Sequence, residues 1–139
     1  MRSLGLDIGD KRIGVAMSDP EGILASPLVV IVRDDDAKAI NEILELISKY
    51  EVQQLVIGLP YSLDGGIGFQ ASKIMTFIER LSMCTETNIE VCDERLSTVA
   101  AEHLLIEAGV KSRKRKERRD VAAAAFILQG YLDSQRSHD

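Results

Sequence analysis

Four acidic side chains stand where carboxylates are costly or where ligands of a sheet gather: Asp7, the neighbours Asp93 and Glu94, and Asp120. Asp7 lies inside an apolar run, between Leu6 and Ile8, with only Gly5 and Gly9 beside it on its own face of a strand. A buried, unpaired carboxylate costs several kcal/mol or has its pKa driven upward. The lack of bulk on either side of it suits a ligand that approaches the strand closely. Asp93 and Glu94 end a second apolar strand, the place where ligands of open α/β sheets collect. Asp120 opens the last helical pattern. Brought together, such a set repels itself unless cations occupy it, and hard oxygen donors of this kind suit Mg²⁺ or Mn²⁺. Two ions roughly 3.5–4 Å apart would stabilise the attacking and leaving oxygens of a phosphodiester during an in-line displacement by water. The metal-ligand candidates are therefore Asp7, Asp93, Glu94 and Asp120.

Each acid also has a plainer use. Asp7 could cap the Gly9 turn, Asp120 could be a first-turn helix acid, and Asp93 or Glu94 could pair with Arg95. The set persuades more than its members do, and its convergence is an expectation from the fold.

The elements that must position these residues follow from periodicity. Residues 3–9 read as a strand with Leu4, Leu6 and Ile8 on one face, and 12–18 alternate as a second, joined to the first by the short Gly9-Asp10-Lys11 connection. Leu28 to Val32 is a third strand after Pro27. Asp34-Asp35-Asp36 supplies cap and first-turn acids for a helix with an Ile40, Ile43, Leu44, Ile47 stripe. Leu55 to Leu59, closed by Pro60, fits a central parallel strand buried on both faces. Asp64-Gly65-Gly66 reads as a loop, and Ile74, Phe77, Ile78 and Leu81 mark the next helix. Ile89 to Cys92 is the fifth strand. Ser97 caps a helix carrying Ala101, Leu104, Leu105 and Ala108, stopped by Gly109. A basic loop follows, then a helix from about Asp120 to Leu132 with Val121, Ala125, Leu128 and Leu132 inward. The order predicts a single α/β domain over residues 1–139. Its five-stranded mixed sheet has strands 1–3 antiparallel and the later strands parallel, with helices on both faces.

The net charge of −5 argues against a polyanionic partner until its distribution is considered. Between Lys111 and Arg119, seven basic residues face Glu117 alone, a local net of +6, whereas the rest of the chain carries 10 basic and 21 acidic residues, a net of −11. Such a stripe binds phosphates whatever the total charge. The candidate nucleic-acid contacts are Lys11, Arg12, Arg95, Lys111, Arg113, Lys114, Arg115, Lys116 and Arg118. The plainer reading is a solvated charge run. The run holds no aromatic residue, so base stacking by it is not indicated.

Composition excludes several classes. Cys84 and Cys92 lack zinc-site spacing and are too few for a disulfide scaffold, which fits a reducing cytosol. His103 sits in a helical pattern and His138 near the end, so neither a histidine metal site nor a Ser-His-Asp triad is expected. Asp7, Asp10, Lys11 and Arg12 interrupt any signal-like apolar run, and no stretch approaches the length of a membrane span.

The motifs resemble the YqgF/RuvX family. Leu4-Gly5-Leu6-Asp7-Ile8-Gly9-Asp10-Lys11-Arg12-Ile13-Gly14-Val15-Ala16 resembles its opening motif. Val56-Ile57-Gly58-Leu59-Pro60 with Asp64-Gly65 resembles the second, and Asp93-Glu94-Arg95-Leu96-Ser97-Thr98 the third. Asp120 with Ala122-Ala123 and Ile127-Leu128-Gln129-Gly130-Tyr131-Leu132 resembles the fourth. The resemblance covers nearly the whole chain. It implies a ribonuclease-H-like fold related to Holliday-junction resolvases, and a nuclease that matures the 5′ end of pre-16S ribosomal RNA with Mg²⁺ or Mn²⁺. It implies metal-binding acids at Asp7, the Asp93-Glu94 pair and Asp120. Junction resolvases of this fold place a glutamate at the fourth strand, where this chain has Ile57-Gly58-Leu59-Pro60. Glu94 is the favoured replacement, so the expected catalytic set is Asp7, Glu94 and Asp120. Arg95 would orient that carboxylate or meet a phosphate oxygen.

The expected partner is precursor rRNA or branched DNA, with monomer and homodimer both open, since a resolvase cutting two strands needs a symmetric pair. Two other classes compete: a nucleic-acid-binding factor with a degenerate site, and an ATP-binding protein, because Asp7-Ile8-Gly9 and Gly14 also resemble the phosphate hairpin of actin-like ATPases. Those enzymes use two such domains, and this sequence reads as one.

Overall fold

The computed structural model describes residues 1–59, 69–93 and 112–136. The expected 97–109 helix, the 64–66 loop, Glu94, Arg95 and Lys111 lie outside them. The described elements are β1 (Ser3–Ile8), β2 (Arg12–Ser18), β3 (Ala25–Val32), α1 (Asp36–Tyr50), β4 (Gln54–Leu59), α2 (Phe69–Ser82), β5 (Asn88–Asp93) and α3 (Ser112–Arg136).

The strands form one sheet in the order β3-β2-β1-β4-β5. β1–β2 and β2–β3 are antiparallel, and β1–β4 and β4–β5 are parallel. This is the mixed sheet expected from the hydrophobic pattern. Strand β4 is buried along its whole length, as a central parallel strand covered on both faces must be.

Period-two alternation divides the sheet into two cores. Leu4, Leu6, Ile8, Ile13, Val15, Leu55, Ile57 and Leu59 face α1 and α2, where they meet Ile40, Ile43, Ile74, Phe77 and Leu81. The other face is smaller in volume: Ala16 and Val56 pack under Ala124, Ile127, Leu128 and Leu132 of α3. Burial of each large side chain contributes about 1.5–3 kcal/mol relative to exposure. Helix α1 starts as expected, with the Asp35 carboxylate accepting from the Ala37 amide at 3.0 Å, a cap of about 1 kcal/mol.

Two elements start several residues before the sequence reading placed them. Strand β3 begins at Ala25, so Pro27 lies inside it, opposite Ala16 and next to a register shift after Val15. β3 is an edge strand, and a proline costs a ladder hydrogen bond only where a neighbour needs it. The larger difference is α3, which starts at Ser112 and not at Asp120. The basic run expected as a loop forms its opening turns. Arg, Lys and Glu are good helix formers, and no Gly or Pro occurs between Val110 and Gln129.

Candidate metal and nucleic-acid site

Asp7 lies near the C-terminal end of β1, half-buried, on the face covered by α3. Its phase follows from its neighbours. Gly5, two residues earlier, faces α3: a Cβ there would stand 2.7 Å from Leu128 Cβ and 2.8 Å from the Ala124 carbonyl oxygen. Gly5 therefore clears room for a helix, not for a ligand as the sequence suggested. Gly9 serves the turn, its amide donating to the Arg12 carbonyl at 2.8 Å.

Asp7 pairs directly with Gly14 across the β1–β2 ladder. A Cβ on Gly14 would collide with the backbone carbonyl of Asp120. Asp7 thus neighbours Gly14 across the ladder, and Gly14 in turn lies against the Asp120 backbone. Two of the expected carboxylate positions, 113 residues apart in the chain, are brought to one place on one face. Because α3 starts at Ser112, Asp120 lies well beyond its first turn. An acid there neither caps the helix nor complements its dipole, both of which act within the first turn.

Arg12 Nε donates to Asp120 Oδ2 at 2.6 Å, with 31% and 16% of the two side chains exposed. A charge-assisted contact at this distance is a strong one. Arg12, expected to meet nucleic acid, is paired here with a candidate metal ligand. Lys11 is exposed at the turn, and Lys73 of α2 reaches Asp10 at 4.0 Å.

Asp93 ends β5 opposite Leu59. Leu59 belongs to the core under α1 and α2, whereas Cys92, opposite Gly58, packs with the α3 core. Asp93 therefore sits at a register position out of phase with Asp7. Among the described residues, no three His, Cys, Asp or Glu side chains form a metal-holding group. Asp7 and Asp120 supply hard carboxylate oxygens and no sulfur or imidazole, a donor chemistry that fits Mg²⁺ or Mn²⁺. Residues 113–118 of the basic run occupy the opening turns of α3, on the helix that carries Asp120.

A family model described as "RuvX: Holliday junction resolvase" matches residues 1–134. The chain belongs to the RuvX family. Its relatives include a protein of Desulforamulus reducens, 50% identical over 96% of this chain and 98% of its own length. Another, from Halothermothrix orenii, is 48% identical over 97% and 96%. Both bear the name "Putative pre-16S rRNA nuclease". Among solved structures, T. thermophilus RuvC bound to a Holliday junction superposes with a TM-score of 0.58 at 14% identity, over 98% of this chain and 96% of that one. The Fowlpox virus resolvase does so with a TM-score of 0.59 at 17% identity, over 97% and 99%. These likenesses establish the ribonuclease-H-like fold for this RuvX-family chain.

Sequence reasoning missed Arg33, which follows β3 and is only 12% exposed. It donates to the Gly9 carbonyl at 2.9 Å and to Asp36 Oδ1 at 2.9 Å. That hydrogen bond holds the Asp36 carboxyl below its ordinary pKa against the opposing effect of burial, with the charges of Arg33 and Arg80 adding to it. The available signal is a lone basic residue, Arg33, before a run of three aspartates whose evident use is helix capping.

Proposed function

We propose that this RuvX-family chain is a divalent-metal-dependent nuclease that cuts the 5′ extension of precursor 16S rRNA in the bacterial cytoplasm. The observation that carries the reading is that Asp7 and the Asp120 backbone both neighbour Gly14, at a depth in α3 where helix-end chemistry does not account for Asp120. The names of the relatives supply the substrate class. No described helix is long and apolar enough to cross a membrane.

Asp7 and Asp120 would hold the cations, with Glu94 as the third carboxylate. The register of Asp93, out of phase with Asp7, favours Glu94 over it. Bound divalent cations supply Lewis-acid stabilisation of the in-line displacement. The chain's own residues do the rest. Arg12 holds Asp120 in place and offsets the repulsion between neighbouring carboxylates.

The basic turns of α3 bring the phosphate backbone to the site. Basic residues at a helix N-terminus oppose the macrodipole, and like charges spaced i,i+4 repel. This run therefore weakens its own helix, and a bound polyanion relieves that cost. Neutralising Lys114, Arg115 and Lys116 together lowers nucleic-acid affinity and flattens its salt dependence, by about 0.7–0.9 in log–log slope for each phosphate no longer neutralised. A salt titration by fluorescence anisotropy checks this, and an unchanged slope would leave the run as a solvated segment.

A second reading, resolution of branched DNA, is favoured by the fold shared with RuvC. One assay separates the two: cleavage in Mg²⁺ and Mn²⁺ of a 5′-extended 16S precursor, a four-way DNA junction and an unstructured strand. Metal-dependent cutting of the precursor supports rRNA processing. Cutting of the junction alone, by a dimer in solution, supports resolution. Tight binding without cutting of any substrate replaces both with a non-catalytic binding factor.

A further inference from the structure

We infer that Arg33 is a positioning residue for this site, fixing the β1–β2 turn from which both Asp7 and the Asp120 clamp are hung. The inference rests on the nuclease reading. The turn is short: Gly9 follows Asp7 by two residues, and Arg12, the partner of Asp120, follows Gly9 by three. A shift of this turn moves both sides of the site together.

Arg33 holds the turn twice. Its backbone amide donates to the Lys11 carbonyl at 2.8 Å, and its Nη1 donates to the Gly9 carbonyl at 2.9 Å. The same guanidinium donates through Nε to Asp36 Oδ1 at 2.9 Å and through Nη2 to Oδ2 at 3.5 Å. It lies 4.9 Å from the centroid of the Phe77 ring, and Phe77 is itself 1% exposed and thus a fixed platform. Asp36 also accepts from Arg80 of α2 at 3.3 Å. One side chain therefore joins the turn, the end of β3, the start of α1 and α2. Only a planar fork of donors serves a carbonyl and a carboxylate at once while lying on an aromatic ring. A lysine ammonium reaches one partner as a point charge. None of these contacts is with Asp7, Arg12 or Asp120 side chains, so Arg33 acts through the turn.

The test compares wild type with Arg33→Met, Arg33→Lys and Asp36→Asn. Four quantities are measured well below the melting temperature: kcat and KM for cleavage, Mn²⁺ affinity by calorimetry, and amide exchange at Gly9 and Arg33. In Arg33→Met, exchange at both amides accelerates. Its kcat and Mn²⁺ affinity fall by about tenfold or more, the range seen when groups supporting metal ligands are removed, while KM stays near the wild-type value. Arg33→Lys recovers part of the loss, and Asp36→Asn reproduces a part of it. Should Arg33→Met fail to fold, the other two variants decide by the same readings. Faster exchange with wild-type kcat and Mn²⁺ affinity would make Arg33 a structural residue only and overturn the inference. If wild type cuts none of the substrates, the nuclease reading falls by itself. The Mn²⁺ affinities then judge Arg33 alone: a drop in the variants sustains it, and equal affinities or no binding by wild type refute it.

Discussion

Asp7→Asn abolishes cleavage, lowering the single-turnover rate by about a thousandfold or more, while the protein still binds its nucleic acid. The size follows from the chemistry assigned to the site. Cations at developing phosphodiester charge supply several kcal/mol of transition-state stabilisation, and each 1.36 kcal/mol is a factor of about ten in rate. The amide matches the carboxylate in shape, so the strand and its pairing with Gly14 survive. Removing one negative charge beside a polyanion also reduces repulsion, so affinity holds or rises. Cleavage and binding measured on the same preparation separate the possibilities. A rate equal to wild type would remove Asp7 from the chemistry. Parallel loss of binding and melting temperature would make it a residue of the fold.

How much of this is legible in the sequence differs by residue, for physical reasons. The sheet can be read because alternation and burial follow one another: Leu4, Leu6 and Ile8 are on the buried face their spacing predicts. Asp7 can be singled out because a charge inside a strand is costly wherever the fold puts it. The role of Gly5 cannot. An absent side chain shows that something approaches, but whether a ligand or helix α3 does so depends on a residue more than 120 positions away. The start of α3 is misplaced when charge density is weighed above helix propensity, since Arg, Lys and Glu favour the helix whatever their charge. That misplacement hides the significance of Asp120, because a first-turn acid is explained by the helix end alone, and one deep in the helix has to be explained by what lies beside it, here Arg12. Arg33 escapes notice because two of its partners, the Gly9 carbonyl and the Phe77 ring, are a backbone atom and a residue of a distant helix, and its third, Asp36, reads as a helix-capping acid. Periodicity reports on none of them.

Gly14→Ala is the second large effect expected, and it tests the junction between strand and helix on which the site depends. The added Cβ would meet the Asp120 carbonyl and stand 3.0 Å from the Val121 amide nitrogen. Both obstacles are backbone, so no rotamer change relieves them, and either α3 lifts or β2 bends. Overpacking of this kind costs typically about 1–3 kcal/mol. With no side chain free to yield, the upper end is expected, lowering Tm by roughly 10 °C for a chain of this size. Activity falls further than stability requires, because a misplacement of about 1 Å at a reacting centre can cost about a hundredfold. Gly130 on the same helix is the control: a Cβ there meets nothing within 4 Å. Gly130→Ala should leave cleavage intact and gain about 0.4–1 kcal/mol from the reduced freedom of the unfolded chain. Thermal denaturation and single-turnover cleavage of both variants check the pair. If Gly14→Ala melts and cuts like wild type, α3 does not rest on β2 at Gly14, and Asp120 is not held against Asp7 by that contact. If it melts low but cuts at the wild-type rate at low temperature, the contact supports the fold and the site tolerates its disruption. The expected combination, loss of both with Gly130→Ala unaffected, ties the geometry of the carboxylates to a single missing methyl group.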